Sequence, residues 1–258
     1  KTYFGEEEEK AIVQPLRDGW VVQGKFVKEF EDKFVDYTGI SHASATTSCT
    51  TALHISVAAL NLQPGDEVIV PAFTWISTAN VVEYMGATPI FCDIDLATFN
   101  IDVNQVESLI TPRTVGMIPV HLFGLSADMN PLIEIAEKHN LWIVEDAACG
   151  FGATYHGKHV GAFGDTGCFS FHPRKSITTG EGGMITTNDA DLDRLCRELR
   201  DHGASRTDFD RHKNKGAFLL AEYNHLGYNF RMTDLQGAVG TIQMDRAPWI
   251  LDQRRRLA

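Results

Sequence analysis

One lysine stands among residue types that together can do covalent chemistry. Lys175 follows a strand-like stretch at 166–171, comes five residues after the hydroxyl of Ser170, and precedes the glycine-rich turn 180–183. A lysine amine can form a Schiff base with an aldehyde, while small donors and bare backbone can hold a phosphate. These parts indicate a pocket for pyridoxal 5′-phosphate (PLP). The alternative is a solvated lysine before a turn, which describes most lysines.

Two segments that follow predicted strands bear on this choice, because ligands of open α/β sheets bind at the carboxyl ends of strands. Residues 47–52 place hydroxyls where a helix opens, and free N–H groups at a helix N-terminus suit a phosphate. Plain N-capping by the same hydroxyls stays open. Trp75 closes the segment 71–75 and could stack on a flat heterocycle, or it could be a core aromatic.

An acidic pair ends the apolar segment 142–146. A carboxylate at a buried strand end costs free energy unless a cation offsets it, and a protonated pyridine nitrogen is such a cation. The alternative is a capping Asp or a structural ion pair. A further polar loop, 225–234, carries Asn229 and Arg231 ahead of a helix that Thr233 should cap. That loop could serve an active site or a subunit interface.

The composition limits the partners. The 258 residues include 23 basic and 34 acidic side chains, a formal net charge of -11, which argues against nucleic acid or an anionic membrane as main partner. The five cysteines form no CxxC pair and the ten histidines show no HExxH spacing, so no metal site is predicted. Scattered reduced cysteines and the lack of a membrane-length apolar run are typical of a cytoplasmic protein.

The pattern along the chain predicts an α/β fold. Short apolar runs alternate with amphipathic stretches, which is typical of βαβ units with a largely parallel sheet between helices. Because the last helical stretch runs to residue 258 without a stop signal, we expect a further C-terminal portion. Residues 152–171 suggest short hairpin strands, and 203–230 a loop. We predict strands at 42–46, 67–70, 88–92, 115–119 and 141–145, and helices at 6–18, 25–37, 50–60, 76–85, 103–110, 128–139, 189–201 and from 232 onward.

With these motifs in place, the chain resembles the DegT/DnrJ/EryC1/StrS family of PLP-dependent sugar aminotransferases over nearly its whole length. The resemblance implies the aspartate-aminotransferase type of PLP-dependent transferase fold (fold type I), with a mixed, mainly parallel sheet between helices. It also implies an N-terminal helix and active-site loop (1–24), a PLP-binding large domain (25–235), and a helix (236–258) leading to a small C-terminal domain. It rests on the order and spacing of motifs at 19–24, 64–75, 86–89, 144–148, 170–175 with 180–183, and 227–236.

The same resemblance assigns roles around the cofactor ring. Lys175 would form the Schiff base, Asp146 would hold the pyridine nitrogen, and Trp75 would stack on the ring. Cys149 departs from the family pattern, because members often carry Gln, Glu or His at that position, near the cofactor hydroxyl.

The phosphate of the cofactor would be bound by a second group of residues. The resemblance assigns this role to Thr50, Thr51 and Ser170, and to Asn229 reaching from a neighbouring subunit. It therefore implies a homodimer with a shared active site.

The implied activity is transfer of an amino group, with glutamate as the expected donor, to a nucleotide-linked keto(deoxy)sugar, in deoxysugar biosynthesis for polysaccharides or antibiotics. A related dehydratase branch carries histidine in place of the lysine, so Lys175 favours transamination. The alternatives are a non-catalytic PLP-binding regulatory or accessory protein, a desulfurase of the same fold, and a scaffold without cofactor. The sugar, the nucleotide and the aminated carbon stay open. His121, His202 and Arg206 could each contact substrate or be solvated loop residues.

Overall fold

A mixed seven-stranded sheet organises the computed structural model, which describes residues 2–207 and 221–257. Its strands are β1 (His42–Thr46), β2 (Glu67–Pro71), β3 (Thr88–Cys92), β4 (Thr114–Met117), β5 (Trp142–Asp146), β8 (Thr166–Ser170) and β9 (Gly183–Thr187). Their order is β1-β9-β8-β5-β4-β2-β3. Neighbours run parallel except where β9 pairs with β1 and with β8. The predicted mixed, mainly parallel sheet is confirmed.

Helices connect most of these strands. They are α1 (Glu6–Asp18), α2 (Lys25–Thr38), α3 (Cys49–Ala59), α4 (Ser77–Tyr84), α5 (Val103–Val106), α6 (Met129–His139), α7 (Ala190–Arg200) and α8 (Asp234–Leu257). A small hairpin of β6 (Thr154–Tyr155) and β7 (Lys158–His159) precedes β8, as the pattern at 152–171 predicts. Thr233 caps α8, since its hydroxyl accepts from the N–H of Gln236 at 3.3 Å.

Helices cover both faces of the sheet. Val144 of β5 packs in one core with residues of α3, α4 and α7, whereas its neighbour Ile143 packs in another with α6. This split follows from the alternation of side chains along a strand. A cluster of aromatic rings joins α2 to the sheet, with Phe34 and Phe169 centred 5.0 Å apart.

A buried ion network ties α2 to α7 and to β1. Glu31 on α2 accepts from Arg200 and from Arg197, both at 2.7 Å. The same carboxylate accepts from the backbone N–H of Ala45 in β1 at 2.8 Å. The edge strand that leads into α3 is therefore held by charge as well as by packing.

Some predicted bounds differ from the structure. The strand predicted to reach 119 ends at Met117, because Pro119 has no N–H to continue the ladder. The helix predicted at 103–110 divides into α5 and a 3₁₀ turn at Glu107–Leu109. Of the predicted loop 203–230, the part at 208–220 lies outside the described residues.

The division of the chain at residues 24 and 235 stays a prediction. In the structure α1 packs on α8, where Nε2 of Gln243 donates to Glu8 at 2.8 Å. Among residues 2–207 and 221–257 no helix combines the length and apolar character needed to cross a membrane. Within the same residues no cluster of three or more His, Cys, Asp or Glu side chains is arranged to hold a metal ion.

Candidate active site

A cavity of about 330 Å³ lies at the carboxyl edge of the parallel strands. A larger groove of about 680 Å³ lies at the opposite edge and contains none of the predicted site residues. Thr51 and Asn229 are not among the residues that line the smaller cavity. The predicted residues that do line it are Thr50, Trp75, Asp146, Cys149, Ser170 and Lys175.

Lys175 is held in a tight turn just after β8. Its backbone N–H donates to the carbonyl of His172 at 2.8 Å, and its own carbonyl accepts from Arg254 at 2.7 Å. Nζ lies 3.1 Å from Sγ of Cys149, which follows β5. The amine therefore projects into the cavity from a fixed backbone, as the strand-like stretch before it predicts.

Asp146 ends β5 with its carboxylate buried, at 3% exposure. Oδ2 accepts from the hydroxyl of Thr78 at 2.7 Å, and Oδ1 from the N–H of Ala148 at 3.1 Å. Burial raises the pKa of Asp146, although these donors and the charge of Lys175 oppose the rise. No cation among the described residues forms an ion pair with this carboxylate, so a cationic ligand group would stabilise it.

The start of α3 forms the end of the cavity that is suited to a phosphate. Ser48 caps the helix by accepting from the N–H of Thr51 at 3.2 Å, while the first-turn N–H groups of Cys49 and Thr50 have no intrahelical acceptor. The hydroxyl of Thr51 donates to the carbonyl of Ser48 at 2.8 Å. The contact of Thr51 with phosphate stays a prediction. Its hydroxyl is hydrogen-bonded within the first turn of α3, and Thr51 does not line the cavity.

The glycine-rich turn brings this helix close to the sheet. A Cβ on Gly183, at the start of β9, would lie 2.3 Å from the carbonyl oxygen of Ser48. Gly180 has φ +87°, a backbone conformation that residues with a Cβ rarely adopt. Gly183 is thus needed for the close approach of β9 to α3, and Gly180 for the turn. The glycine-rich run 180–183 was a visible signal for both in the sequence.

Trp75 and Asn229 both face outward. Trp75 lines the cavity with 72% of its surface exposed, which excludes the alternative of a core aromatic. Asn229 is exposed in the loop before α8 and pairs by backbone with Asp201. A reach from one subunit into another therefore stays a prediction for Asn229.

His121 is neither the substrate contact nor the solvated loop residue that the sequence left open. It is fully buried, its Nε2 lies 2.8 Å from Glu145, and its Nδ1 accepts from the N–H of Ala127 at 3.1 Å. The prediction was wrong because the chain after β4 continues alongside the end of β5, where Val120 pairs in parallel with Asp146, and this places His121 in the interior. His202 and Arg206 are exposed and do not line the cavity.

Sequence reasoning missed several polar residues of the site. Thr78 orients Asp146 from the first turn of α4, three residues after Trp75, at a helix position that gives no chemical signal by itself. His172, Arg174 and Glu181 also line the cavity. They lie inside the segment around Lys175, so their position in the chain could have indicated them.

The residues present fit PLP. An amine is available for its aldehyde, a buried carboxylate for its ring nitrogen, and an exposed indole for its ring face. The first-turn N–H groups of α3, which have no acceptor within the helix, and the nearby hydroxyl of Ser170 suit its phosphate. The deciding observation is Asp146, whose burial and raised pKa call for a proton or a cation at this point.

Comparison with known proteins gives a consistent result. A model of the DegT/DnrJ/EryC1/StrS aminotransferase family matches residues 2–258. GDP-perosamine synthase of Caulobacter vibrioides is 46% identical over 247 residues, which cover 95% of this chain and 64% of that protein. The chain thus spans slightly less than two thirds of that relative's length.

Solved structures share the fold. An aminotransferase from Psychrobacter cryohalolentis is 38% identical with a TM-score of 0.89, and the match covers 95% of this chain and 63% of that one. Spr1654 of Streptococcus pneumoniae, solved in its PLP-form, is 32% identical with a TM-score of 0.90, covering 99% of this chain and 68% of that one. On sequence and structure alike, the chain belongs to the DegT/DnrJ/EryC1/StrS aminotransferase family.

Proposed function

We propose that this protein is a PLP-dependent aminotransferase that moves an amino group from glutamate to a nucleotide-linked keto sugar. The observation that carries the proposal is the convergence of Lys175 and Asp146 on one cavity of about 330 Å³. Lys175 follows β8 and Asp146 ends β5, and these two strands are parallel neighbours. Membership of the family supports the reaction class, and the relative named GDP-perosamine synthase supports a nucleotide-linked sugar.

Lys175 and Asp146 would divide the chemical work. PLP, when bound, supplies an electron sink for the bond-breaking step. Nζ of Lys175 anchors the cofactor and, once free, takes the proton from the α-carbon of glutamate; in the second half it delivers a proton to the aminated carbon of the sugar. Asp146 would keep the proton on the ring nitrogen, because a buried carboxylate favours a cationic partner.

The remaining residues would bind and orient. Ser170 and the first-turn N–H groups of Thr50 and Cys49 face the phosphate, where the N-terminus of α3 favours negative charge. Trp75 would cover one face of the ring with its exposed indole. Cys149 stands beside Lys175, where it can contact the cofactor hydroxyl.

A homodimer with a shared site is part of the proposal. Asn229 is exposed and is not among the residues that line the cavity of its own subunit, which supports a role across a subunit boundary. A cytoplasmic location is also proposed, supported by five free cysteines, since oxidising compartments favour disulfides.

The test is a half-reaction with glutamate. Purified protein loaded with PLP should convert the cofactor to its aminated form when glutamate is added, and a screen of nucleotide-linked keto sugars should then restore PLP. In Lys175→Ala the rate of this conversion should fall by about 10³-fold or more, because the general base and the anchor of the cofactor are gone. Lys138→Ala, at an exposed position paired with Glu107, is the matched control and should behave as the parent.

Two results would overturn the proposal. A protein that binds PLP but leaves glutamate unchanged would be a non-catalytic PLP-binding protein. Borohydride treatment that fixes PLP to the Lys175→Ala protein at the same stoichiometry would show that another residue carries the cofactor.

A further inference from the structure

We propose that Cys149 and Lys175 form a peroxide-sensitive pair, in which oxidation of Cys149 joins its sulfur to Nζ of Lys175 and withdraws the amine from the cofactor. Taken alone, either residue has an ordinary role. Their contact gives the cavity a site of covalent modification that aminotransfer does not require.

The geometry favours a direct bond. Nζ of Lys175 lies 3.1 Å from Sγ of Cys149, within hydrogen-bond distance for an amine and a thiol. The two residues follow neighbouring parallel strands, β8 and β5, so the sheet fixes the separation of their backbones. The turn after β5 is closed by a hydrogen bond from Gly150 to Ala147 at 2.8 Å, which limits how far Cys149 can retreat.

Access distinguishes Cys149 from the other cysteines. Cys149 is partly exposed and lines the cavity, so a small oxidant can reach its sulfur. Cys49 also lines the cavity, but it is buried and its thiol donates to the carbonyl of Cys168 at 3.5 Å. Cys92, Cys168 and Cys196 are buried as well. Burial raises the pKa of Cys92 to about 11 and of Cys196 to about 12, and raises those of Cys49 and Cys168 well above the usual value.

The chemistry balances in two steps. Hydrogen peroxide oxidises the thiol of Cys149 to a sulfenic acid, one peroxide oxygen goes to sulfur, and the other leaves as water. The lone pair of Nζ then attacks this sulfur and forms an S–N bond. The S–O bond breaks, and the hydroxyl leaves as water with a proton from the nitrogen. The cross-linked protein has two hydrogen atoms fewer than the reduced protein.

The consequence for activity rests on the proposed function. A Lys175 whose nitrogen is bonded to sulfur has no free amine for PLP, so the cross-link and the cofactor compete for one atom. A thiol reductant such as dithiothreitol attacks the sulfur, releases the amine and restores the reduced pair. The pair would therefore act as a reversible block on cofactor loading.

The test is peptide mapping after peroxide. Protein freed of cofactor is treated with hydrogen peroxide, the remaining thiols are alkylated, and the digest is searched for a peptide pair joining Cys149 to Lys175 with the loss of two hydrogens. We expect this pair to form, to vanish after dithiothreitol, and to be depleted when the protein is loaded with PLP first. Cys149→Ser and Lys175→Arg should both lack it. Cys196→Ser, at a buried thiol, is the matched control and should retain it.

Other outcomes contradict the proposal. Oxidation of Cys149 to its sulfinic acid without a linked peptide, or a product that retains an oxygen between sulfur and nitrogen, would exclude the direct S–N bond. A linked peptide pair that involves another lysine would exclude the assignment to Lys175. Because the readout is a mass, it stays decisive even if the protein fails to transaminate any sugar.

Discussion

Thr78 donates its hydroxyl hydrogen to Oδ2 of Asp146 across 2.7 Å at the carboxyl edge of the sheet. The N–H of Ala148 donates to Oδ1 of the same carboxylate at 3.1 Å. One donor comes from the first turn of α4 and the other from the turn after β5. Because both carboxylate oxygens are engaged from different elements, the direction in which Asp146 faces the cavity is fixed.

Removing the hydroxyl of Thr78 should weaken cofactor binding. In Thr78→Val the buried carboxylate loses a donor that holds its pKa down, which costs about 1–3 kcal/mol of stabilisation of the charged form. PLP affinity, measured by absorbance titration, should fall by about tenfold. Thr187→Val is the control, since it removes a buried hydroxyl at the opposite edge of the sheet, where Thr187 donates to the carbonyl of Asp165 at 2.7 Å. Equal affinities in the two variants would contradict the role of Thr78.

Replacing Asp146 should separate its catalytic role from its effect on stability. Asp146→Asn cannot keep the ring nitrogen protonated, so turnover should fall by ~10³-fold or more, as for other residues that act on the charge of a reacting centre. Asp165→Asn removes a carboxylate at the opposite edge of the sheet, where it accepts from the N–H of Ile143 at 2.8 Å. That control should keep its turnover.

Asp146→Asn should also change how the unfolding free energy depends on pH. Burial raises the pKa of Asp146 above its usual 3.8, so the folded protein binds this proton more tightly than the unfolded chain does. The unfolding free energy of cofactor-free protein should therefore fall as pH rises from 3.8 through the raised pKa, and Asp146→Asn should lack this fall. Urea unfolding at a series of pH values measures the difference. A parent and a variant with parallel curves would contradict the buried-carboxylate account.

Much of the site was readable from the sequence because its residues cluster around strand ends. Lys175, Asp146 and Trp75 each follow an apolar run, and the rule that ligands bind at the carboxyl ends of parallel strands brings them together without a structure. The alternation of strands and helices predicts five of the seven strands to within two residues, whereas β8 lies in the segment predicted as short hairpin strands and β9 was not predicted.

What could not be predicted depends on distant contacts. The pairing of His121 with Glu145 depends on how the chain turns after β4, and no local pattern specifies that turn. The contact of Cys149 with Lys175 joins residues 26 positions apart through strand pairing. Likewise, the hydroxyl of Thr78 meets Asp146 across 68 positions, which only the tertiary fold determines.

A methyl group at Gly183 should displace the start of α3. In Gly183→Ala the new Cβ would lie 2.3 Å from the carbonyl oxygen of Ser48, which is backbone and cannot swing aside. We expect weaker PLP binding through the phosphate, together with a loss of stability of about 1–3 kcal/mol from overpacking. Gly5→Ala is the control, because the atoms nearest to its Cβ belong to the flexible end of Arg246, at 3.1 Å and beyond. Pyridoxal, which lacks the phosphate, should bind to both variants with the same affinity.

Neutralising Glu31 should destabilise the fold without touching the cavity. Burial opposes its ionisation, but the guanidinium groups of Arg200 and Arg197 outweigh burial and lower the pKa of Glu31. Glu31→Gln leaves Arg200 buried without its counter-charge, and breaking such a pair costs about 3–5 kcal/mol. Glu6→Gln, which removes an exposed pair with Lys10, should change the unfolding free energy little.

The pH dependence of the Glu31 effect follows from the sign of its shift. A carboxyl whose pKa is lower in the folded protein stabilises it fully above the usual value of 4.5, and this contribution is lost as pH falls through the lowered pKa. The gap in unfolding free energy between parent and Glu31→Gln should therefore narrow below pH 4.5. A gap that stays constant down to acid unfolding would show that packing, and not charge, is responsible.

Arg174 should set the affinity for an anionic substrate. Arg174 lines the cavity and is exposed, and its guanidinium has no hydrogen bond or ion pair with any residue in 2–207 or 221–257. In a chain with a net charge of -11, a free cation beside Lys175 is where a carboxylate or phosphate would bind. Arg174→Gln should raise KM by about tenfold with little change in kcat, because the contact exists in both ground and transition states. Arg194→Gln on α7, paired with Asp191, is the matched control. A rise confined to glutamate would assign Arg174 to the donor carboxylates, a rise confined to the sugar substrate would assign it to the diphosphate, and an unchanged KM for both would exclude it from substrate binding.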